Sequence, residues 1–463
     1  MVKALVTRIF ALLSKTFVVL LILVSCGMLG IASIVYKLSL PTGGGQYDAP
    51  IPSKITEDRF LPDGADLKLA LSLLRFGLRE NDGNFVISPF VFYKNALLLA
   101  HGANGESLNE LRRGVLKSDA DKHLINKQLI DYQKGIAKDF KIRNSVWGDN
   151  LTPEYKEAVG QLADIQSRPW LKQKFGQWVQ KGYKSWNDVS AFSGKITDRQ
   201  AVYLLNTINF KYQWYNMFDG DNTEIEPFYS WNNADGYVYM MHSASDVDYY
   251  EDERMQSVRL YFLDTAGQRS RYDQPVPHTP RNHIDIRFFL PKEHIDFEEF
   301  VSELQIDDLN ITYQKKQVEL YIPRIQLGQK QQDMIPLFKD LGIRNIFVPQ
   351  NQNLAEMSRK PKYIGSVLQI GNSIILDETG IGTGDVCAYF ECGCDILDED
   401  LPLKFRANRP FVFMLGQGLF IGVYREGHIC EAENLDSHTV SPATSDDIMF
   451  PHEKDNYFPL VDI

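Results

Sequence analysis

The first third of the chain after residue 58 is dominated by apolar residues at helical spacing. From Leu67 onward they recur every three or four positions, which predicts a first helix. A strand-like segment, NFVIS, separates it from a second predicted helix over residues 91–100. A third helix is predicted in ESLNELRRGVL, where Ser107 and Glu110 match the Ser-x-x-Glu pattern of a helix N-terminus. A further amphipathic helix is predicted over residues 120–140.

The remaining part of the chain is dominated by strand patterns, with one further helix. Helices gathered early and strands gathered late predict an α+β domain with mainly antiparallel sheets rather than alternating βαβ units. The strand segments are AVYLLNTINF, GYVYMM, SVRLYF, IDIRFFLP, QVELYIP, GSVLQIGNSIIL, FVFML and LFIGVY, and the helix is QQDMIPLFKDLG.

A long apolar run precedes this domain. Residues 16–36 contain no charged side chain, and Lys3, Arg8 and Lys15 precede them. About 20 apolar residues suffice to span a bilayer, and basic residues before the run would keep that end in the cytosol. Residues 1–36 are therefore interpreted as a single-pass type II membrane anchor or as a cleaved signal peptide. Both interpretations place the rest of the chain outside the cytosol.

The two segments that flank the domain have biased compositions. Residues 37–57 are rich in Pro, Gly and Ser and predict a flexible stalk. The chain has 463 residues and a formal net charge of -11, which argues against nucleic acid or an anionic surface as the main partner. From Glu426 to Ile463 there are nine acidic residues and one lysine. Residues 428–463 are therefore predicted to form an acidic, disordered tail.

Cysteines and glycosylation motifs agree with placement outside the cytosol. Four cysteines lie beyond the apolar run, and three disulfide pairings among them remain open. Asn150 and Asn310 begin Asn-x-Thr sequons and are candidate glycosylation sites. The four cysteines are Cys387, Cys392, Cys394 and Cys430.

Basic side chains on the helix predicted over residues 120–140 are a weaker candidate site. Lys127, Lys134 and Lys138 would suit a sulfated polysaccharide. The favoured interpretation is a solvated helix face, because aspartates are interleaved with these lysines.

No motif for catalysis, a cofactor or a metal is found. In TGIGTGD, Asp385 occupies the place of the third glycine of a dinucleotide-binding loop, and no helix pattern follows. The spacing of Cys387, Cys392 and Cys394 fits zinc poorly, so disulfides or free thiols are favoured. We therefore predict that the chain is not an enzyme.

Seven segments in order resemble the signature segments of the serpin family, the serine protease inhibitor superfamily. The resemblance covers residues 58–427 and implies a single serpin domain of about nine helices and three sheets. It also implies an exposed reactive-centre loop, which in inhibitory members is cut by a protease and then inserts into sheet A as a new strand. The segments are NFVISPF, LLNTINFKYQW, VYMM, FFLPKE, YIPRIQL, LFKDLGI and FRANRPFVFML.

The resemblance places the hinge and reactive-centre loop at residues 374–403, with Glu378 and Gly380 at family hinge positions. On insertion, alternate residues would face the core: Ile381, Thr383, Asp385 and then Cys387. Inhibitory hinges use small residues here. Ile381 adds bulk, and burying the Asp385 carboxylate costs several kcal/mol unless it is paired or protonated. This hinge therefore predicts a divergent, non-inhibitory member.

The polar shutter, where sheet A opens, supports the same prediction. Ser88 and Asn206 match the family pattern, whereas Val91 and Ile370 stand where a serine and a histidine are usual.

The scissile region that the resemblance implies contains no arginine or lysine. Leu397 would suit a chymotrypsin-like protease, and Asp395 or Asp398 an Asp-specific one; a loop with no cognate protease is the further alternative. The main hypothesis is a protein that acts by binding an extracellular partner, and the alternative is an active protease inhibitor. The candidate scissile residues are Cys394, Asp395, Ile396, Leu397 and Asp398.

Overall fold

The computed structural model describes the chain over fifteen ranges between residues 65 and 427. These are 65–116, 122, 125–127, 129–130, 141–166, 172–182, 201–216, 218–231, 236–262, 284–327, 331–349, 354–360, 362–370, 374–382 and 403–427.

Helices surround the sheets, and eight α-helices have defined bounds within the described ranges. Further helical residues occur between positions 122 and 130. The eight are α1 (Ala65–Glu80), α2 (Pro89–Gly102), α3 (Gly105–Leu111), α4 (Pro153–Val159), α5 (Lys172–Gly182), α6 (Phe297–Glu303), α7 (Ile306–Leu309) and α8 (Ile335–Asp340).

Nine of the described strands form one sheet, called the large sheet. Its order is β1-β18-β17-β9-β8-β7-β10-β16, and β6 pairs with β7. The pairs are antiparallel except for β10 with β16. Its strands are β1 (Phe85–Ile87), β6 (Thr223–Phe228), β7 (Gly236–Glu251), β8 (Met255–Tyr261), β9 (Asp285–Pro291), β10 (Gln314–Pro323), β16 (Lys404–Arg406), β17 (Phe411–Leu415) and β18 (Phe420–Tyr424).

The other nine described strands form a five-stranded and a four-stranded sheet. The five-stranded sheet has the order β12-β13-β4-β2-β3, and the four-stranded sheet has the order β11-β14-β15-β5. The strands are β2 (Lys141–Trp147), β3 (Asp164–Gln166), β4 (Ala201–Asn209), β5 (Lys211–Gln213), β11 (Ile325–Leu327), β12 (Gln331–Asp333), β13 (Tyr363–Ile370), β14 (Ile374–Leu376) and β15 (Gly380–Gly382).

The four-stranded sheet continues the five-stranded one along the chain. Strand β5 follows β4 after Phe210, and β14 follows β13 after three residues. In the five-stranded sheet β13 pairs directly with β4, whereas in the four-stranded sheet β15 lies between β14 and β5. The two sheets therefore act as one sheet. In its closed part β4 and β13 pair directly, and at its open end their continuations β5 and β14 are separated by β15.

The core runs between the sheets and the helices. Helix α2 is buried along its whole length because its sequence, PFVFYKNALLLAHG, is apolar on nearly every face. Ser88 caps it: the Ser88 Oγ accepts a hydrogen bond from the Val91 backbone N–H at 3.2 Å. Together with the three sheets, this arrangement confirms the predicted α+β class.

Two local predictions from the sequence are wrong. Helix α3 begins at Gly105, so Ser107 lies inside the helix and Glu110 does not complete a capping box. Glu110 instead accepts hydrogen bonds from the backbone N–H groups of Arg344 and Asn345. Residues 331–333, predicted as the start of a helix, form strand β12, because pairing with β13 outweighs the local preference.

The described ranges include no helix that is both long enough and apolar enough to cross a bilayer. The apolar run of residues 16–36 lies outside these ranges.

Candidate functional site

The candidate site is the hinge that enters the open end of the sheet. Ile375 and Leu376 of β14 pair with Gly382 and Ile381 of β15. On its other side β15 pairs antiparallel with β5, so that Ile381 lies opposite Tyr212. Three hinge residues thus already form a strand inside the sheet.

The turn that leads into β15 is built on Asp377. Its Oδ1 accepts hydrogen bonds from the Thr379 backbone N–H at 2.8 Å, the Thr379 hydroxyl at 2.6 Å and the Gly380 N–H at 3.2 Å. The Trp214 indole N–H donates to the Asp377 carbonyl oxygen at 2.7 Å. The aspartate therefore reverses the chain, and the tryptophan attaches the turn to the end of β5.

Burial raises the pKa of the Asp377 carboxyl above its ordinary value, and the hydrogen bonds from Thr379 oppose this shift only in part. The folded state therefore holds the proton more tightly than the unfolded state. This contribution to stability is fully present below the unfolded pKa and is lost as the pH rises through the folded pKa.

Asp377→Asn should therefore stabilise the protein at neutral pH, because the amide keeps the acceptor oxygen and carries no buried charge. The gain over wild type should shrink as the pH falls through the raised folded pKa, and it should be gone below about 4, the ordinary pKa of an aspartate, where the side chain is protonated in both states. Thermal melting of both proteins between pH 3 and 8 measures this. A pH-independent difference would contradict the assignment.

Glu378 is fixed by an ion pair across the sheet. Its carboxylate accepts from the Arg324 Nε at 2.8 and 3.0 Å, and from the Thr223 hydroxyl at 2.5 Å. The Glu378 side chain is 12% exposed, and the Arg324 guanidinium lies 4.9 Å from the centre of the Tyr239 ring. The charge-assisted hydrogen bonds of a bidentate arginine–carboxylate pair fix the geometry of both side chains.

Gly380 is required by close backbone approach. A Cβ added at this position would lie 1.9 Å from the Tyr212 carbonyl oxygen, well inside contact distance. No substitution with a side chain fits unless β15 moves away from β5.

Gly380→Ala should therefore push the hinge out of the sheet and lower the free energy of unfolding by about 1–3 kcal/mol. Gly220→Ala is the matched control, because a Cβ there meets nothing within 4 Å. Urea unfolding, with limited proteolysis of the hinge, measures both. Equal effects of the two substitutions would contradict the close-approach argument.

Ile381 occupies the core at the open end of the sheet. Its side chain is 0% exposed and belongs to the main hydrophobic cluster, as do Leu376 and Tyr212 opposite it. The bulk of the Ile381 side chain, which the sequence predicts to be unsuited to an inserting hinge, is accommodated in this position. Ile381 therefore anchors the hinge in its partly inserted place.

Of the two matching shutter residues, Asn206 lies on strand β4 in the closed part of the sheet and Ser88 lies at the N-terminus of helix α2. Ser88 Oγ donates to the Leu419 carbonyl oxygen at 2.7 Å, and Asn206 Nδ2 donates to the Leu368 carbonyl oxygen at 3.3 Å. Both side chains are fully buried. Asn206 Oδ1 accepts no hydrogen bond from the described residues. Val91, which follows Ser88 by three residues, has a buried aliphatic side chain. The reduced polar network of the shutter stays a prediction.

Several predicted site residues lie outside the described ranges. These are Thr383, Asp385, the scissile candidates 394–398, the four cysteines, Lys134 and Lys138. Of the rest, Lys127, Asn150 and Asn310 are exposed, which is compatible with their predicted roles. Glycosylation, disulfides and polysaccharide binding stay predictions.

The sequence interpretation missed three residues that build the site: Trp214, Arg324 and Asp377. Trp214 and Arg324 belong to segments already singled out, KYQW and YIPRIQL, but their partners lie far away in the sequence. Asp377 directly precedes the predicted hinge, and the pattern Asp-x-Thr is typical of an Asx turn.

Comparison with known proteins gives one family over most of the chain. The family model described as "Serpin (serine protease inhibitor)" matches residues 65–424. A "Serine protease inhibitor" of Cyanea capillata is 22% identical over 348 residues, which is 72% of this chain and 88% of that protein. The human "Protein Z-dependent protease inhibitor" is 22% identical over 377 residues, 76% of this chain and 79% of that protein. The native-state crystal structure of the thermophilic serpin Tengpin superposes with a TM-score of 0.63 at 20% identity, covering 78% of this chain and 93% of that one.

Proposed function

Because this chain belongs to the serpin family, we propose that it uses the protease-inhibitor fold for a non-inhibitory binding function outside the cell. The family description is that of an inhibitor of proteases rather than of a catalyst. The observation that carries the proposal is the pairing register of β15 with β5, from which we infer the partners that the following loop residues would have on insertion.

The register predicts which side chains an inserting loop would bury. Directly opposite residues of an antiparallel pair point to the same face of the sheet. If insertion continued the pairing of β15 with β5 by three residues, Thr383 would lie opposite Phe210 and Asp385 opposite Ile208. Ile208 is fully buried in the main core. An inserted Asp385 would therefore bring a carboxylate against apolar side chains, at a cost of several kcal/mol.

Further insertion also requires the closed part of the sheet to open. Strand β13 pairs with β4 from Tyr363 opposite Ala201 to Ile370 opposite Thr207, and these pairs must separate before the residues that follow Asp385 can enter. At the polar shutter, only Ser88 and Asn206 match the family pattern that the sequence resemblance implies. Since trapping is a race between insertion and deacylation, slow insertion makes the protein a substrate rather than an inhibitor.

Placement outside the cell rests on the N-terminal sequence. The apolar run 16–36 behind basic residues supports export by an anchor or a signal peptide. Detecting this run by mass spectrometry in the mature protein would distinguish the two.

An active inhibitor is the second candidate, and one observation favours it. The sheet already accepts three hinge residues between β14 and β5, so insertion has begun before any cleavage. If Asp385 could enter protonated or paired, a chymotrypsin-like or Asp-specific protease would be the expected target.

Incubation of the full chain with chymotrypsin-, elastase- and Asp-specific proteases tests the proposal. We expect cleavage within residues 383–403 and no SDS-stable complex. An SDS-stable complex formed at near-equimolar ratio with any of these proteases would overturn the non-inhibitory assignment.

A further inference from the structure

A groove on the side of the domain carries a second candidate site, separate from the hinge. It has a volume of about 780 Å³ and is formed by residues 229–231, 291–293, 295–298 and 408–410. This volume lies in the range of sites that hold small ligands or peptide side chains.

Two exposed aromatic side chains line the groove. Tyr229 is 53% exposed and Trp231 is 38% exposed, and they are two of the four large hydrophobic residues that are exposed among the described ranges. The Arg425 guanidinium lies 4.3 Å from the centre of the Trp231 ring and is itself buried. The indole is therefore held in place from behind while it remains partly exposed at the groove.

At the groove, the positively charged side chains are less exposed than the negatively charged ones. The cations are shielded: Lys292 is paired with Glu251, and the Arg409 Nε and Nη2 donate to the Pro291 carbonyl oxygen at 3.0 and 2.9 Å. The side chains of Lys292 and Arg409 are only 25% and 18% exposed.

The carboxylates are the more exposed charged groups of the groove. The side chain of Glu293 is 88% exposed and lies 4.0 Å from the Arg409 Nη1, and that of Glu298 is 57% exposed and lies 3.7 Å from the Arg425 Nη1. Asp296 is also exposed. A ligand that enters therefore meets negative charge and aromatic faces before it meets any cation. Aromatic faces attract ammonium and guanidinium groups, and carboxylates pair with them.

We infer that this groove binds a basic segment of a partner protein, with arginine side chains against Tyr229, Trp231 and the exposed carboxylates. The net charge of -11 would favour the approach of such a partner. The chain's own C-terminal segment, rich in acidic residues, does not fit this charge pattern. The inference goes beyond the proposed function, because a protein that inserts its loop could carry the same groove.

A fluorescein-labelled octapeptide of alternating arginine and glycine tests the inference by anisotropy on the full chain in non-ionic detergent. A glutamate–glycine peptide of the same length is the comparison and also represents the acidic tail. We expect the arginine peptide to bind, the glutamate peptide not to bind, and salt to weaken binding.

Matched double variants separate a site from general charge attraction. Glu293→Gln/Glu298→Gln should weaken binding of the arginine peptide about five- to tenfold. Glu299→Gln/Glu303→Gln, on the same helix α6 but outside the groove lining, changes the net charge equally and should have less than about a twofold effect. Equal loss in both double variants, no binding to wild type, or equal binding of the glutamate peptide would each overturn the inference.

Since Glu298 lies 3.7 Å from the buried Arg425, its substitution could also disturb folding. Glu293→Gln and Tyr229→Ala, both at highly exposed positions, provide variants that leave this pair intact. Each should weaken peptide binding at least about twofold with unchanged melting. If both bind the peptide like wild type, the groove is not the site.

Discussion

Replacing Asp385 by alanine should let the cleaved loop insert, so that the cleaved variant unfolds in urea at a midpoint roughly 2 M above that of the cleaved wild type. A new central strand of about ten residues gains cross-strand pairs of about 0.2–1 kcal/mol on both sides, roughly 5 kcal/mol or more in total. With a urea dependence of about 3 kcal/mol per M, this gives the expected shift. The physical cause is removal of the carboxylate that the register, if continued on insertion, would bring against Ile208.

Asp400→Ala is the matched control for that experiment. It removes a carboxylate from the same loop, beyond the candidate scissile residues, so it should leave the cleaved protein like wild type. Long incubation after cleavage allows for slow opening of the sheet. If Asp385→Ala and Asp400→Ala behave alike, Asp385 is not what opposes insertion.

Ile381→Ala should release the hinge from the sheet before any cleavage. Removing a fully buried side chain of this kind costs about 2–5 kcal/mol. The lost stabilisation affects mainly the three-residue strand β15, which pairs with β14 at two residues and with β5 at three residues. Backbone amides of Ile381 and Gly382 should then exchange hydrogen at least about tenfold faster, since each 1.4 kcal/mol corresponds to a factor of ten.

Ile375→Ala provides the comparison within the same sheet. Ile375 lies on β14 directly opposite Gly382, but its side chain is only partly buried. Hydrogen exchange followed by mass spectrometry should therefore show a change of less than about threefold in β15. Unchanged exchange in Ile381→Ala would mean that this side chain does not hold the hinge.

The sequence predicts where strands of the hinge region lie better than it predicts which strands they pair with. The apolar triplet 374–376 was predicted as the end of a strand, and strand β14 has these bounds. Residues 380–382 have two glycines and no strand pattern, yet they form β15. Their pairing depends on a gap between β14 and β5, which no local preference encodes.

Other parts of the site depend on contacts between distant segments. Arg324 meets Glu378 across the sheet, and Trp214 reaches the carbonyl of Asp377. A single sequence shows each of these residues but not their distance from one another. The same holds for the groove, since Tyr229 and Glu293 are joined only by the fold.

The shutter shows what can be predicted by comparing residue types at the family's positions. The sequence predicts that half of the family's polar shutter is absent, because Val91 and Ile370 stand at two of its positions, and in the structure the Asn206 Oδ1 has no hydrogen bond from the described residues. Leaving a buried polar atom unpaired costs about 1–3 kcal/mol. The expectation could be drawn from the sequence because it compares residue types at family positions and needs no geometry.

The melting temperature of the wild-type protein before and after cleavage of its loop tests the central claim most directly. Limited chymotrypsin digestion near Leu397, with the cut located by mass spectrometry, prepares the cleaved form. If the loop stays outside the closed part of the sheet, cleavage should change the melting temperature by less than about 3 °C. A rise of about 10 °C or more would show that the loop inserts, and would contradict the account.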